Sequence, residues 1–463
     1  MTTTVRRAGA FALVGTGGLL VPAVSRVAPQ LVAAVAGTVP FTDRMTSQAV
    51  ATVAGTLPFI AIAVLALYYV DEGFVFELFA RPGDREDGRL YGLAGFSLAI
   101  AGLALLALQF ALPMTVFSTA VFILSYGNLA EHLVRTWRSE PAVATAGFVA
   151  GGSVLGFGAG LATVALTPGS VPPATLAFFA VSGALLASLL RAVLFARDDP
   201  LVMLSVALLL WLFADLGVAV SPVRVVVALA VTGGFGYVSY WLDAASIAGM
   251  VTGVLLGLLT IVLGDYGWFA MLITFFGIGA LSTKFRYDEK QDRGIAQENE
   301  GVRGSGNVLA NSLMALVAVV GFAASPTHVP VSPDVFLYAF AGAVAAAMSD
   351  TLSSEIGGLF DDPRLITTFE RVAPGTDGAV TWQGELAGIA GAGLIAAIAI
   401  AFELVQPLGA LVIVGAGVLG MTADSLLGAT VEGRYFGNQV VNFLATAVAA
   451  VAGGSVALAL GAL

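Results

Sequence analysis

Asp350, Ser353, Ser354 and Gly357 recur at i, i+3, i+4 and i+7 in AAAMSDTLSSEIGGLF, residues 345–360. That spacing puts them on one helical face at the end of an Ala-rich apolar run, with Glu355 close by. A carboxylate centred in a membrane helix costs about 2.5–3.5 kcal/mol, so such residues tend to be paired or functional. An interfacial position lowers that cost and leaves a structural role open. Magnesium takes one or two carboxylates plus substrate phosphates, and Asp350 would suit it.

Two further stretches carry polar residues in patterns. In TKFRYDEKQDRGIAQENEGVRGSGNVLANS, residues 283–312, Lys284, Arg286, Lys290, Arg293 and Arg303 lie beside Asp288, Glu289, Asp292, Glu298 and Glu300. Gly304 and Gly306 then precede a helix carrying Asn307 and Asn311 at i, i+4. Free N–H groups and the dipole at a glycine-preceded helix N-terminus favour an anion. Charged loops are usually just solvated, but both of the chain's lysines, Lys284 and Lys290, are here. In GMTADSLLGATVEGRYFGNQVVNFLAT, residues 420–446, Asp424 shares a face with Gly428 and Asn438 with Asn442. Glu432 and Arg434 fall in the turn between them. Polar side chains at membrane depth need partners and are expected to point into the bundle.

The elements that position these residues must be membrane helices. Of 463 residues, 58% are hydrophobic and 11% charged, and mean hydropathy is +0.94. A soluble surface uses roughly 25% charged residues. Apolar runs of about 17–25 residues recur throughout, and lipid offers backbone N–H and C=O groups no partner outside a helix or a closed barrel. An all-α polytopic membrane protein of about 15–16 transmembrane helices is expected. The spans are placed near 8–25, 28–42 (short, with a re-entrant form open), 48–70, 90–111, 113–134, 141–167, 172–195 and 200–220. A second set is placed near 222–240, 244–264, 266–283, 307–325, 334–349, 383–404, 406–422 and 439–461. Arg6 and Arg7 before an apolar stretch look like a signal peptide, but no clear cleavage site follows, so a retained first helix is expected.

Cysteine is absent, which excludes disulfides and thiolate chemistry. His132 and His328 are far apart, and a helix-end and a loop residue describe them better than a metal pair. Net charge is −10; an acidic, lysine-poor chain suggests a halophile, with an archaeal source expected.

The cations Arg81/Arg85/Arg89, Arg135/Arg138, Arg191/Arg197, Lys284 to Arg303, Arg364/Arg371 and Arg434 all fall in loops on one side of the expected spans. That side is expected to be cytoplasmic, in a multi-pass protein of the cell membrane. The order of helices, hairpins and cationic loops over 48–220 repeats over 266–461, consistent with two related halves; regular hairpins alone would also look periodic. An N-terminal membrane half, 1–221, and a C-terminal domain, 222–463, are expected.

The three ordered motifs, TKFRYDEKQDRGIAQENEGVRGSGNVLANS, MSDTLSSEIG and ADSLLGATVEG with GNQVVN, resemble the domain-of-unknown-function 92 family, over about 230–463. That family includes transmembrane protein 19 and the plant phytyl-phosphate kinase. The resemblance implies a phosphotransferase, a kinase moving a phosphoryl group from a nucleoside triphosphate, with CTP expected, to a prenyl monophosphate such as phytyl or geranylgeranyl phosphate. Such isoprenoid chemistry needs cationic clamps, a carboxylate-held metal and in-line positioning. On this basis Lys284, Lys290, Arg293 and Arg303 would bind phosphates, and Asp350 would hold Mg2+. Asp424 or Glu355 would complete the metal site or orient substrate. Asn307, Asn311, Asn438 and Asn442, beside Ser353 and Ser354, would fix the head group. The expected partners are the bilayer, a prenyl phosphate and a nucleoside triphosphate, not nucleic acid; a homo-oligomer stays open.

The N-terminal half lacks the Ser-Asp-Thr pattern, and in SYGNLAEHLVR, residues 125–135, Asn128 and Glu131 are poor substitutes for a metal-binding Asp. A diverged, structural, gating or regulatory half is expected. The alternative for the whole chain is a secondary transporter or flippase of a lipid or small anionic solute. Transporters place ionisable sites near the midplane, whereas Asp215 and Glu403 fall near helix ends.

Overall fold

The computed structural model describes residues 3–35, 46–194, 199–297, 302–325 and 327–461. Arg197, Glu298, Glu300 and the C-terminal part of the expected 28–42 segment lie outside the described residues. The chain is an all-α polytopic membrane protein. Its apolar runs form helices because only an internally bonded backbone survives in lipid.

The first group of helices is α1 (Thr3–Thr16), α2 (Leu20–Val35), α3 (Ser47–Tyr68), α4 (Gly73–Phe79), α5 (Pro82–Asp87) and α6 (Tyr91–Gln109). It continues with α7 (Met114–Arg135), α8 (Pro141–Leu166), α9 (Pro173–Val193) and α10 (Asp199–Leu216). Then come α11 (Pro222–Trp241), α12 (Ile247–Leu263), α13 (Tyr266–Lys284), α14 (Tyr287–Asp292), α15 (Ser305–Ala324) and α16 (Pro333–Gly357). Two short strands, β1 (Arg364–Leu365) and β2 (Ala379–Val380), precede α17 (Trp382–Ala401), α18 (Pro407–Thr430) and α19 (Asn438–Ala459).

Among the described residues, 13 helical segments are long and apolar enough to cross a membrane. Two more come near those limits: α7, with 22 residues but polar last turns that carry Glu131, His132 and Arg135, and α12, apolar but with 17 residues.

The structure corrects three boundaries. The segments expected at 8–25 and 28–42 belong to one helical run, Thr3–Ala34, in which a 3-10 turn at Gly17–Leu19 joins α1 to α2. Arg26 lies within this run, and its Nη1 donates to the Ala165 carbonyl at 3.1 Å, so the charge is accommodated within the helix. The other two corrections extend α16 and α18 past 349 and 422, to Gly357 and Thr430. Their polar last turns stay helical because other elements pack around them.

The chain divides into two compact units, Met1–Val225 and Val226–Leu463. In the first, α7 is central and packs on α1, α8, α9 and α10. Phe117, Ala120, Val121 and Ile123 are fully buried there. At its polar end, Glu131 pairs with Arg135 and, at 2.6 Å, with Arg191. Those arginines occupy the carboxylate of SYGNLAEHLVR.

In the second unit α16 takes the central place, packed on α13, α15, α17, α18 and α19. Lipid supplies no hydrophobic drive between helices, so close contact rests on small residues. A Cβ at Gly342 would lie 2.9 Å from the Ala449 carbonyl oxygen, and one at Gly420 would lie 3.1 Å from that of Ala445. These glycines let α16, α18 and α19 approach backbone to backbone, which aligns the polar ends of the three helices.

Candidate functional site

The extended last turns of α16 and α18 bring Asp350 and Asp424 within hydrogen-bonding reach of each other. Oδ1 of Asp424 is buried and has no hydrogen-bond partner among the described residues. Two adjacent half-buried acids with an unsatisfied buried oxygen are costly unless a counter-charge joins them.

The two acids line a polar cavity of about 280 Å³. Ser353 and Ser354 line it from α16, Asn307 and Asn311 from α15, and Asn438 and Asn442 from α19. The asparagines are ordered in pairs: Asn311 Nδ2 donates to the Asn307 carbonyl at 3.0 Å, and Asn442 Nδ2 donates to Asn438 Oδ1 at 3.2 Å. Among the described residues, Arg303 supplies the one guanidinium that lines the cavity.

The connection between α16 and α17 forms one wall. β1 and β2 pair antiparallel, Arg364 opposite Val380 and Leu365 opposite Ala379, and the segment Pro374–Gly378 turns against α18. Gly378 has φ +74°, and a Cβ there would lie 2.5 Å from the Ser425 carbonyl oxygen. Only glycine satisfies both conditions. The turn brings Asp377 into the cavity wall with Glu432. Burial first, and then the charge of Asp377, raise the Glu432 pKa above its ordinary value, while a hydrogen bond with Asn438 acts in the opposite direction.

Among the described residues, four carboxylates, Asp350, Asp377, Asp424 and Glu432, thus line the same cavity as one guanidinium. Burial lowers the pKa of Arg303 from its ordinary value, with the Glu355 charge opposing. A dehydrated cation amid acids suits a site that takes an anion together with a metal cation. Among the described residues no group of three or more His, Asp or Glu side chains is arranged to hold a metal by itself. The donor set instead fits a cation held by the Asp350–Asp424 pair and completed by phosphate oxygens and water, as magnesium is commonly bound.

Several expected site residues are elsewhere. Lys290 is buried, its Nζ donating to Ser282 O at 2.7 Å and to Glu355 Oε2 at 2.5 Å. Glu355 also accepts from Thr283 Oγ1 at 3.0 Å and from Gln297 Nε2 at 2.7 Å. Neither Lys290 nor Glu355 lines the cavity, because each satisfies the other inside the protein. Arg293 pairs with Glu289 and with Asp361. Lys284 donates to the Leu242 carbonyl at 2.7 Å and lines a different, apolar cavity. Asp377, Thr376 and Gln297 were not singled out in the sequence, although all three line the polar cavity. The available signal was PGTDG, residues 374–378, a turn-forming run with one acid.

A family profile described as integral membrane protein DUF92 matches residues 230–451. An uncharacterized membrane protein of Methanocaldococcus jannaschii is 35% identical over 214 residues, covering 44% of this chain and 82% of that protein. The chain belongs to the DUF92 family. Two Arabidopsis thaliana proteins are also similar to this DUF92 protein. The chloroplastic protein VTE6 is 30% identical over 43% of the chain and 61% of its own length. Protein PGR is 33% identical over 45% of the chain and 79% of its own length. No solved structure is significantly similar to this DUF92 protein. The matched span holds all three motifs and every residue named in the polar cavity.

Proposed function

We propose that the second unit is a prenyl-phosphate kinase, moving a phosphoryl group from a nucleoside triphosphate to a prenyl monophosphate at the cytoplasmic membrane surface. The observation that carries this is the half-buried Asp350–Asp424 pair in the wall of a polar cavity, with the buried Oδ1 of Asp424 lacking a partner among the described residues. The DUF92 resemblance implies this reaction, and the 30% identity to VTE6 over part of both chains supports it at the level of the family.

In the reaction, an oxygen of the prenyl monophosphate attacks the terminal phosphorus of the nucleotide. The bond from that phosphorus to its bridging oxygen breaks, and a nucleoside diphosphate leaves with the electron pair. Little covalent chemistry falls to the protein, and positioning with charge stabilisation does most of the catalysis. Asp350 and Asp424 would hold magnesium, which when bound neutralises phosphate charge. Arg303 neutralises an acceptor or transferred phosphate at the opposite wall. The amides of Asn307, Asn311, Asn438 and Asn442 offer N–H donors to the remaining oxygens. Ser353 and Ser354 provide hydroxyls on the same face as Asp350.

The test is phosphorylation of geranylgeranyl or phytyl monophosphate by purified protein with CTP and magnesium, alongside Asp350→Asn. Diphosphate formed by wild type alone supports the reading, with ATP, GTP and UTP in parallel defining the nucleotide. Folded wild type in lipid that turns over no nucleotide overturns it and makes solute flux the next assay.

A further inference from the structure

A second cavity, about 440 Å³, lies between α11, α12 and α13 of the same unit. Phe235, Met250, Val254, Phe269, Ile273 and Phe276 make it apolar. Phe235 and Leu281 are 46% and 72% exposed, so the cavity opens sideways toward lipid between α11 and α13.

Its two cationic lining residues are Lys284 and Arg303, and Arg303 also lines the polar cavity. The backbone fixes Arg303 at this junction. Its N–H donates to Ala244 O and its carbonyl accepts from Ser246 N, each at 3.1 Å, tying it to the α11–α12 connection. Its guanidinium stands 5.3 Å from the centre of the Phe275 ring. The space it occupies exists because residue 279 is glycine; a Cβ there would lie 2.5 Å from Nη2. Immediately after Arg303, α15 presents Val308 to the apolar cavity and Asn307 and Asn311 to the polar one. An apolar chamber thus meets an acid-rich one at a single buried guanidinium.

We propose that the apolar cavity is the binding site for the hydrocarbon chain of a single-chain phosphate ester, with Arg303 gripping the phosphate where the two cavities meet. This rests on the kinase reading for the identity of the ester. A protein helix is about 10–12 Å across and needs an open groove, whereas a cavity of this size between three helices suits one flexible chain. The sideways mouth lets such a chain enter from the bilayer without its tail crossing water.

Gly253 and Gly277 line the cavity, and a Cβ at either meets nothing within 4 Å. Gly253→Phe and Gly277→Phe therefore start a side chain from an unobstructed Cβ in the cavity wall, and loss of a helical glycine favours folding. The experiment uses the full chain in nanodiscs and a diazirine-tagged geranylgeranyl monophosphate, without nucleotide, with cross-links mapped by mass spectrometry. Labelling should fall on α11–α13 and drop about tenfold in each variant, a size typical of pocket steric effects. Turnover of geranylgeranyl monophosphate should show a KM raised by about the same factor. Turnover of isopentenyl monophosphate, which has too short a chain to fill the cavity, should be unchanged. Cross-links confined to α16–α19, or labelling that neither filler reduces, overturn the proposal. Labelling on α11–α13 that the fillers abolish, with no turnover of any phosphate, upholds the chain site and rejects the kinase reading alone.

Discussion

Lys290 Nζ lies 2.5 Å from Oε2 of Glu355, with the two side chains 2% and 6% exposed. The pair ties α14 to α16 behind the polar cavity, and Thr283 and Gln297 complete the carboxylate's hydrogen bonds. Isolated charges inside protein are unfavourable, so each depends on the other.

Lys290→Ala should therefore destabilise the second unit by about 3–5 kcal/mol, the usual cost of stranding one member of a buried pair. Lys290→Met with Glu355→Gln should recover most of the loss. Thermal unfolding in detergent measures both. A Lys290→Ala protein as stable as wild type would show that the pair carries no such burden.

Asp350→Asn and Asp424→Asn should each lower phosphoryl transfer at least about 100-fold, the scale of losing one group that stabilises transition-state charge. Unfolding temperature should hold or rise, because one of two adjacent acids is gone. Turnover with radiolabelled nucleotide, together with a melting curve on the same sample, separates lost chemistry from lost fold.

Gly378→Ala places a side chain at φ +74° against the Ser425 carbonyl. The left-handed backbone alone costs a non-glycine residue about 1–2 kcal/mol. Detachment of the Pro374–Gly378 turn from α18 should follow, read as faster proteolysis within that turn and a higher nucleotide KM. Equal proteolysis rates would show that the turn does not depend on this contact.

Glu432 gives a pH prediction. Its folded pKa is raised, chiefly by burial and then by Asp377, so the folded state holds the proton more tightly than the unfolded state. The resulting stability is fully present below the unfolded carboxylate value and is lost as pH rises through the raised folded value. Glu432→Gln should flatten that loss and melt about 1–2 °C higher than wild type at neutral pH, the response to a fraction of a kcal/mol in a unit of this length. Melting temperatures measured from pH 4 to 8 test it; parallel curves for the two proteins would reject it.

Much of the fold was legible because lipid turns composition directly into helices. Spans such as 141–167 and 222–240 fall within a residue of α8 and α11. The polar faces were also legible: Asp350, Asp424 and the four asparagines converge because helical spacing fixes which residues share a face. Of the four expected cations, Arg303 lines the polar cavity, whereas Lys284, Lys290 and Arg293 do not. A lysine's type says nothing about what its Nζ meets, and Lys284 and Lys290 are both engaged away from the polar cavity. The wall carrying Asp377 lacks periodicity, so its place depends on tertiary contacts such as that of Gly378 on α18. The join between α1 and α2 was not legible either, since the partner of Arg26, Ala165, is far away in the chain.

The glycine contacts that bring α16 and α18 together have a mechanical consequence. Asp350 and Asp424 ride on separate transmembrane helices, so their spacing depends on how those helices cross. A thinner or thicker bilayer is accommodated largely by tilting its helices. With Gly342 and Gly420 seating α16 and α18 against α19, the three tilt as one body. The distance between the two acids is thereby insulated from the thickness of the surrounding lipid.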